Sequence, residues 1–202
     1  MPSVSSNAVR REPQQERSTR RLASFLQAAE DLFVEVGFEA ATMTAIAERT
    51  GASIGTLYHY FPDKASIASA LVSQYARQIE AHWQPLIEQA HTLTHQRFAE
   101  LFIQCITDFV NEHPAYLSLQ SAPIRFRRDP AARKALRVAV AGAFRAKNPS
   151  LSSEKALLAA NVALQIVKGL TALYPNAGPK EKPLVVAEFK QVLTLYLGTV
   201  LA

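Results

Sequence analysis

The chain has 202 residues, 49% of them apolar and 19% charged, which is ample for one buried core or for two small domains sharing one. A single cysteine, Cys105, excludes an intrachain disulfide. No uncharged run of about 18 apolar residues points to a membrane span, and residues 1–21 lack the apolar centre of a signal peptide, so the expectation is a cytoplasmic chain with no membrane partner. The net charge of +5 is weak evidence for nucleic acid: residues 1–64 hold seven Lys or Arg against eight Asp or Glu, and the surplus lies in residues 65–202, with fifteen against nine.

In chain order, residues 1–16 are rich in Ser, Gln, Pro and charge, which predicts disorder. With Arg17 they form a basic arm of residues 1–17; Arg10, Arg11 and Arg17 in it, with Arg20 and Arg21 just beyond, concentrate positive charge at this end. A first helix starts near Ser18. Its apolar positions 22, 25, 26, 29, 32, 33 and 36 follow one 3.6-residue stripe, and Gly37-Phe38 suits a Schellman-type stop. Glu30, Asp31, Glu35 and Glu39 give it an acidic back, which with the basic arm would orient the unit on a polyanion. Thr42 can cap a second helix with Met43, Ile46 and Ala47 inward, and Gly51 stands where that helix must end with positive φ. Ser53 can cap a third. There Ile54, Leu57 and Phe61 are spaced for an inward face, leaving Ser53, Gly55, Thr56, Tyr58, His59 and Tyr60 to share the rest. The first helix would cover the next two and make a three-helix unit, the smallest arrangement that buries a helix-turn-helix. Pro62 stops the third helix and Asp63 can cap a long fourth one, with Ile67, Leu71, Tyr75 and Ile79 on one face, kinking or ending shortly before Pro85.

The remainder reads as helix throughout: about 95–112, a short one after Pro114, then about 129–147, 152–174 and 183–201, with no alternating strand pattern. The predicted fold class is all-α. A three-helix unit over residues 18–64 precedes a helical domain of about six helices over residues 65–202. Leu184, Val185, Val186, Phe189, Val192, Leu193, Leu195, Tyr196, Leu197, Val200 and Leu201 occupy more of the last helix than one core-facing stripe needs. The helices at about 152–174 and 183–201 are therefore expected to form half of a four-helix bundle with a second copy; the alternative is that both are plain core helices.

The stretch Thr42-x-x-x-Ile46-Ala47-x-x-x-Gly51-x-Ser53-x-Gly55-Thr56-Leu57-Tyr58-x-Tyr60-Phe61-x-x-Lys64 resembles the signature of TetR/AcrR-family transcriptional regulators. The resemblance covers about residues 18–66, including Val36-Gly37-Phe38. It implies a homodimer with an N-terminal unit that reads double-stranded DNA and a C-terminal domain for a small-molecule effector and dimerisation, in most cases a repressor released by that effector. The residues it places at DNA are Arg20, Thr42, Thr44, Ser53, Gly55, Thr56, Tyr58, His59, Tyr60 and Lys64. Each has a physical reading: hydroxyls and helix N-termini for phosphates, small side chains for close approach to base edges, and Lys64 as a point charge. Where many relatives are basic, at the positions of Thr44 and Ile54, this chain is uncharged. Tyr60 divides evenly between packing and phosphate contact.

No motif names a ligand. A pocket between helices could be lined by Trp83, Phe102, Phe109, Tyr116, Phe126, Asn161 and Gln165, the two amides lying one turn apart in an apolar helix. The basic run Arg125, Arg127, Arg128, Arg133, Lys134, Arg137, Arg145 and Lys147, against Asp129, reads either as a solvated face or as a site for an acidic ligand or a second DNA contact. His91 and His95 are four apart but lack a third ligand, so no metal is expected. With seven glycines and no nucleophile beside an ordered base, neither catalytic residues nor a cofactor are expected. The rival readings are a helical small-molecule-binding protein, or an enzyme, with a vestigial DNA-binding unit.

Overall fold

A computed structural model describes residues 14–122 and 130–201, with the side chains of residues 14, 120, 121, 130 and 132 excepted. Arg10, Arg11 and most of the arm, Phe126, and the run of Arg125, Arg127, Arg128 and Asp129 lie outside the described residues. Within them the chain is all-α, without a strand. Its helices are α1 (Gln14–Ala40), α2 (Met43–Arg49), α3 (Ile54–Tyr60), α4 (Lys64–Glu88), α5 (His95–Glu112), α6 (Pro114–Ser121), α7 (Pro130–Lys147), α8 (Ser153–Leu173) and α9 (Lys182–Leu201).

Local capping chemistry sets the boundaries in the N-terminal part. The Thr42 hydroxyl accepts from the Ala45 N–H at 3.1 Å, and the Ser53 hydroxyl from the Thr56 N–H at 3.1 Å. The Asp63 carboxylate accepts from the Ser66 N–H at 2.7 Å, so α2, α3 and α4 each begin on a side-chain cap. Between α2 and α3, Gly51 takes φ 65°. The N–H of Gly51 bonds to Glu48 O and that of Ala52 to Ala47 O, the two bonds of a Schellman ending. Phe25, Ala29, Phe33, Ile46, Leu57 and Phe61 fill the core of this unit.

Several local expectations change. The first helix starts at Gln14, four residues before Ser18. Leu22 and Val36, counted on its inward stripe, are exposed at 37% and 50%. Gly37 has φ 80° and ψ 165°, an extended, glycine-tolerated conformation rather than the left-handed helical one of a Schellman stop. The chain breaks there and resumes for one turn, which seats Phe38 on Phe33 at 5.4 Å. Ile54 is not inward but 39% exposed, because α3 is short and only Leu57 and Phe61 reach the core. Helix α4 passes Pro85 and ends at Glu88; the proline sits in the last turn, where one missing N–H bond to Ala81 costs little. Cys105 is half-buried against the core rather than within it, and burial raises its thiol pKa.

The C-terminal helices pack around an aromatic centre. Tyr75 of α4, Phe109 of α5 and Tyr116 of α6 meet edge to face, and Trp83 stacks on Phe102 at 4.4 Å. Helix α5 runs between α4 and α9, α7 lies on α8, and α8 on α9. Gly169 of α8 lets α9 come close: a Cβ there would sit 3.2 Å from the Phe189 ring. Helices α8 and α9 are long and apolar enough to cross a membrane by length and composition. Each nevertheless buries one face in the core, through Ala160, Ala163, Val167 and Leu170 on α8 and Leu193, Leu197 and Leu201 on α9. Their other faces expose Leu158, Leu173, Leu184, Val192 and Leu195.

Candidate nucleic-acid interface and cavity

The head presents α3 to solvent by its N-terminal and outer residues. Ser53, Ile54, Gly55, Tyr58 and His59 are exposed, and Thr56 is half-buried. The Ser53 and Thr56 hydroxyls lie 2.8 Å apart, so both stand together at the positive end of the helix. Thr42 and Thr44 are exposed at the start of α2. Arg20 is exposed on the first turns of α1, paired at 3.0 Å with Glu16 one turn before it. Farther along α1, Glu35 holds Arg49 of α2 through two bonds of 2.9 and 2.6 Å, which ties the two helices together. The hydrogen bond from Arg49 holds the Glu35 carboxyl below its ordinary pKa.

Two of the predicted contact residues have other work. The Tyr60 ring packs edge-on against Phe25 at 5.5 Å and its hydroxyl meets Ser18 at 3.3 Å, so it joins α3 to α1. Lys64, expected as a point charge for a phosphate, folds back on the end of α1. Its ammonium donates to the carbonyls of Phe38, Glu39 and Ala41 at 2.6, 2.9 and 2.8 Å and lies 4.5 Å over the Phe38 ring. All three N–H bonds are thereby used. The ammonium terminates α1 where the glycine stop was expected, and it sits at the negative end of the helix dipole.

A second contact joins the same two helices. Tyr75 is fully buried, and its hydroxyl donates to Glu30 Oε1 of α1 at 2.6 Å. Burial, and then the bond to Glu30, holds the phenol far above its ordinary pKa, so it remains a donor. His113, preceding α6, lies 3.4 Å from the same carboxylate oxygen, and Ser118 of α6 donates to Phe33 O at 3.4 Å.

Beside this junction lies a cavity of about 360 Å³ among α4, α5, α6, α7 and α8. Val72, Ile79, Trp83, Ile106, Leu136 and Leu164 give its apolar wall, and Glu80, Tyr116, Arg133, Arg137, Gln165 and Lys168 its polar part. Of the predicted pocket residues, Trp83, Tyr116 and Gln165 line it. Phe102 and Phe109 do not; they are buried behind Trp83 and Tyr75 as core. Asn161 is absent from the lining, which takes from α8 only residues between Leu164 and Thr171, nearer the helix C-terminus. The Trp83 N–H is spent on Phe102 O at 3.3 Å, so the indole offers the cavity only its ring. Arg133, Arg137 and Lys168 were not singled out as lining. The only signal for two of them was the basic run, whose spacing of four between Arg133 and Arg137 puts both on one face of α7. Among the described residues, no three His, Cys, Asp or Glu side chains gather as a metal set.

The residue pattern of the family described as "Bacterial regulatory proteins, tetR family" matches residues 25–71, and that of "Tetracyclin repressor-like, C-terminal domain" matches residues 96–197. The chain belongs to the TetR family. Its sequence is 34% identical over 85 residues to the HTH-type transcriptional regulator UidR of Escherichia coli, covering 37% of this chain and 43% of UidR. It is 43% identical over 77 residues to the HTH-type transcriptional repressor KstR of Rhodococcus jostii, covering 38% of this chain and 31% of KstR. The matches thus span less than half the length of either relative. In fold the regulator is similar to a TetR-family transcriptional regulator from Streptomyces coelicolor, with a TM-score of 0.65 at 20% identity over 90% of this chain and 99% of that one. The two family patterns meet the geometry on both sides of α4: one covers the helix-turn-helix and the first turns of α4, the other begins in α5.

Proposed function

We propose that the regulator is a cytoplasmic repressor that binds a palindromic operator as a homodimer and leaves it when a small molecule fills the cavity beside α4. The observation that carries this reading is the position of the cavity. Its wall includes Val72, Ala76, Ile79 and Trp83 of α4, and the same helix holds the reading head through Lys64 and Tyr75. A ligand that is bound better by one setting of α4 would therefore favour one setting of the head.

On DNA, α3 would enter the major groove with Ser53, Gly55, Thr56, Tyr58 and His59 near base edges and phosphates. Thr42, Thr44 and the arginines Arg17, Arg20 and Arg21 would meet the backbone. The exposed Ile54 adds an apolar contact suited to a thymine methyl group. The dimer seam would be the outer face of α8 and α9, where Leu158 is 63% and Leu195 63% exposed in the single chain. Both matched relatives bear names of transcriptional regulators, which supports the DNA half of the reading.

A mobility-shift assay on the promoters of the regulator's own and neighbouring genes, at moderate salt, tests it. The expected result is binding that needs both half-sites, with centres about one turn or roughly 34 Å apart. Binding that is indifferent to the palindrome would overturn the operator reading. Release of an unmodified ligand is likewise expected, since we read the cavity as a binding site; turnover of that ligand would make the protein an enzyme.

A further inference from the structure

The effector's chemical class can be read from the cavity, given the effector reading above. Three helices bring charge to its polar part: Arg133 and Arg137 from α7, Lys168 from α8 and Glu80 from α4. Among the described residues of the lining, three cations stand against one carboxylate, a net charge of +2. Opposite them stand Val72, Ile79, Trp83, Ile106 and Leu164. The Tyr116 hydroxyl and the Gln165 amide add hydrogen-bonding groups. A cationic ligand would meet repulsion there and a neutral one would gain nothing from the positive charge, whereas an anionic head is drawn to it. An acid head on an apolar body matches both halves of the wall.

We infer that the regulator's effector is an amphipathic organic anion: a carboxylate or comparable acid on an apolar body, its head toward Arg133, Arg137 and Lys168 and its body against Trp83 and Ile79. The volume of about 360 Å³ corresponds to about a dozen water-sized units at roughly 30 Å³ each, so a ligand of about a dozen heavy atoms fills it. This accounts for part of the basic surplus in the C-terminal domain that the reading head does not use.

Trp83 is the only tryptophan of the chain, so its fluorescence reports on the cavity directly. Full-length protein is titrated with decanoate, decanol and decylamine, which share an apolar body and differ in head-group charge. Decanoate should change Trp83 emission with an affinity at least about tenfold above decanol, and decylamine should bind weakest. Replacing Arg137 or Lys168 by Gln should each weaken decanoate several-fold and leave decanol unchanged, and added salt should weaken decanoate only. Arg133→Gln gives a third, independent variant should one of these fail to fold. Equal binding of decanoate and decanol, or no effect of any of the three substitutions, overturns the inference.

Operator binding is measured in parallel. If decanoate binds at the cations but leaves the operator complex intact, the inference stands and the effector-release reading fails. If release is produced by decanol or decylamine and not by decanoate, the release reading stands and the anion inference fails.

Discussion

Lys64 separates a structural role from a DNA-contacting one by a measurable margin. Replacing it with Met keeps an apolar stem of similar length on Phe38 and removes only the ammonium. The lost bonds are three, at 2.6, 2.9 and 2.8 Å, and hydrogen bonds from a charged donor contribute about 1.5–3 kcal/mol each. The Glu39 carbonyl is exposed and water can replace its partner. The Phe38 and Ala41 carbonyls are partly buried, and leaving each short of a donor costs about 1–3 kcal/mol. The net expectation is a loss of about 3 kcal/mol. For a chain of this size about 2–4 °C of Tm follows from each kcal/mol, so Lys64→Met should melt about 6–12 °C lower, with faster amide exchange at the end of α1.

The same variant has a second readout. A lysine that neutralises one phosphate contributes about 0.9 to the slope of log affinity against log salt, hence about 1.8 for the two copies in a dimer. With its protons committed to carbonyls, Lys64 should contribute nothing to that slope, and the folded variant measured below its Tm should keep the wild-type value. An unchanged Tm together with a slope reduced by about two would refute the assignment and return Lys64 to the DNA interface.

Three further outcomes are expected. Tyr75→Phe removes the hydroxyl that reaches Glu30; operator affinity should stay within a few-fold while the ratio of affinities without and with bound effector shrinks about tenfold, within the usual range of coupling energies, as competition shift assays would measure. Ile54→Ala should weaken operator binding about tenfold through loss of apolar contact with thymine methyls, and substituting deoxyuridine for thymidine in the operator should bring wild type down to the variant; if uridine operators are bound equally well, Ile54 reads no methyl. Asp63, whose carboxyl is held below its ordinary pKa of 3.8 by the Ser66 hydroxyl first and the Ser66 N–H second, stabilises the fold above that value and loses the effect as pH falls through its lowered folded-state pKa; Asp63→Ala should therefore cost about 1 kcal/mol at neutral pH, and urea titrations should show the gap to wild type narrowing at pH 3.

What was legible in the sequence was local. A cap hydroxyl acts within three residues, so the starts of α2, α3 and α4 stand where Thr42, Ser53 and Asp63 put them. Apolar spacing placed α5, α7, α8 and α9 within one residue of their observed ends, because each buries a long stripe; for α6 the sequence offered only a short helix after Pro114. What was not legible depends on which side of a helix meets which neighbour. Phe102, Phe109 and Tyr116 look alike in sequence, yet only Tyr116 reaches the cavity. Lys64 looks like any lysine after a recognition helix until α1 ends under it, 23 to 26 residues earlier. The cavity's cations come from two helices whose juxtaposition no spacing within one segment could give.

Under the proposed effector-release reading, these long-range contacts also bear on where the head would pivot. A domain boundary at Lys64 suggests that the head pivots there, at the start of α4. Yet α4 grips α1 twice, at Lys64 and at Tyr75, eleven residues or about 16 Å farther along the helix. Two separated attachments to one helix resist bending at the first of them. Helix α6 adds a third attachment through Ser118 and Phe33 O, and both α4 and α6 contribute to the cavity wall through Trp83 and Tyr116. The arrangement favours rigid rotation of the head with α4 and α6 over a swing of the head alone, so the movable surfaces lie farther back, where α4 meets α5 and α7. Within such a body the Tyr75 ring, 5.8 Å from Tyr116 and bonded to Glu30, is where a displacement of the cavity wall first reaches α1.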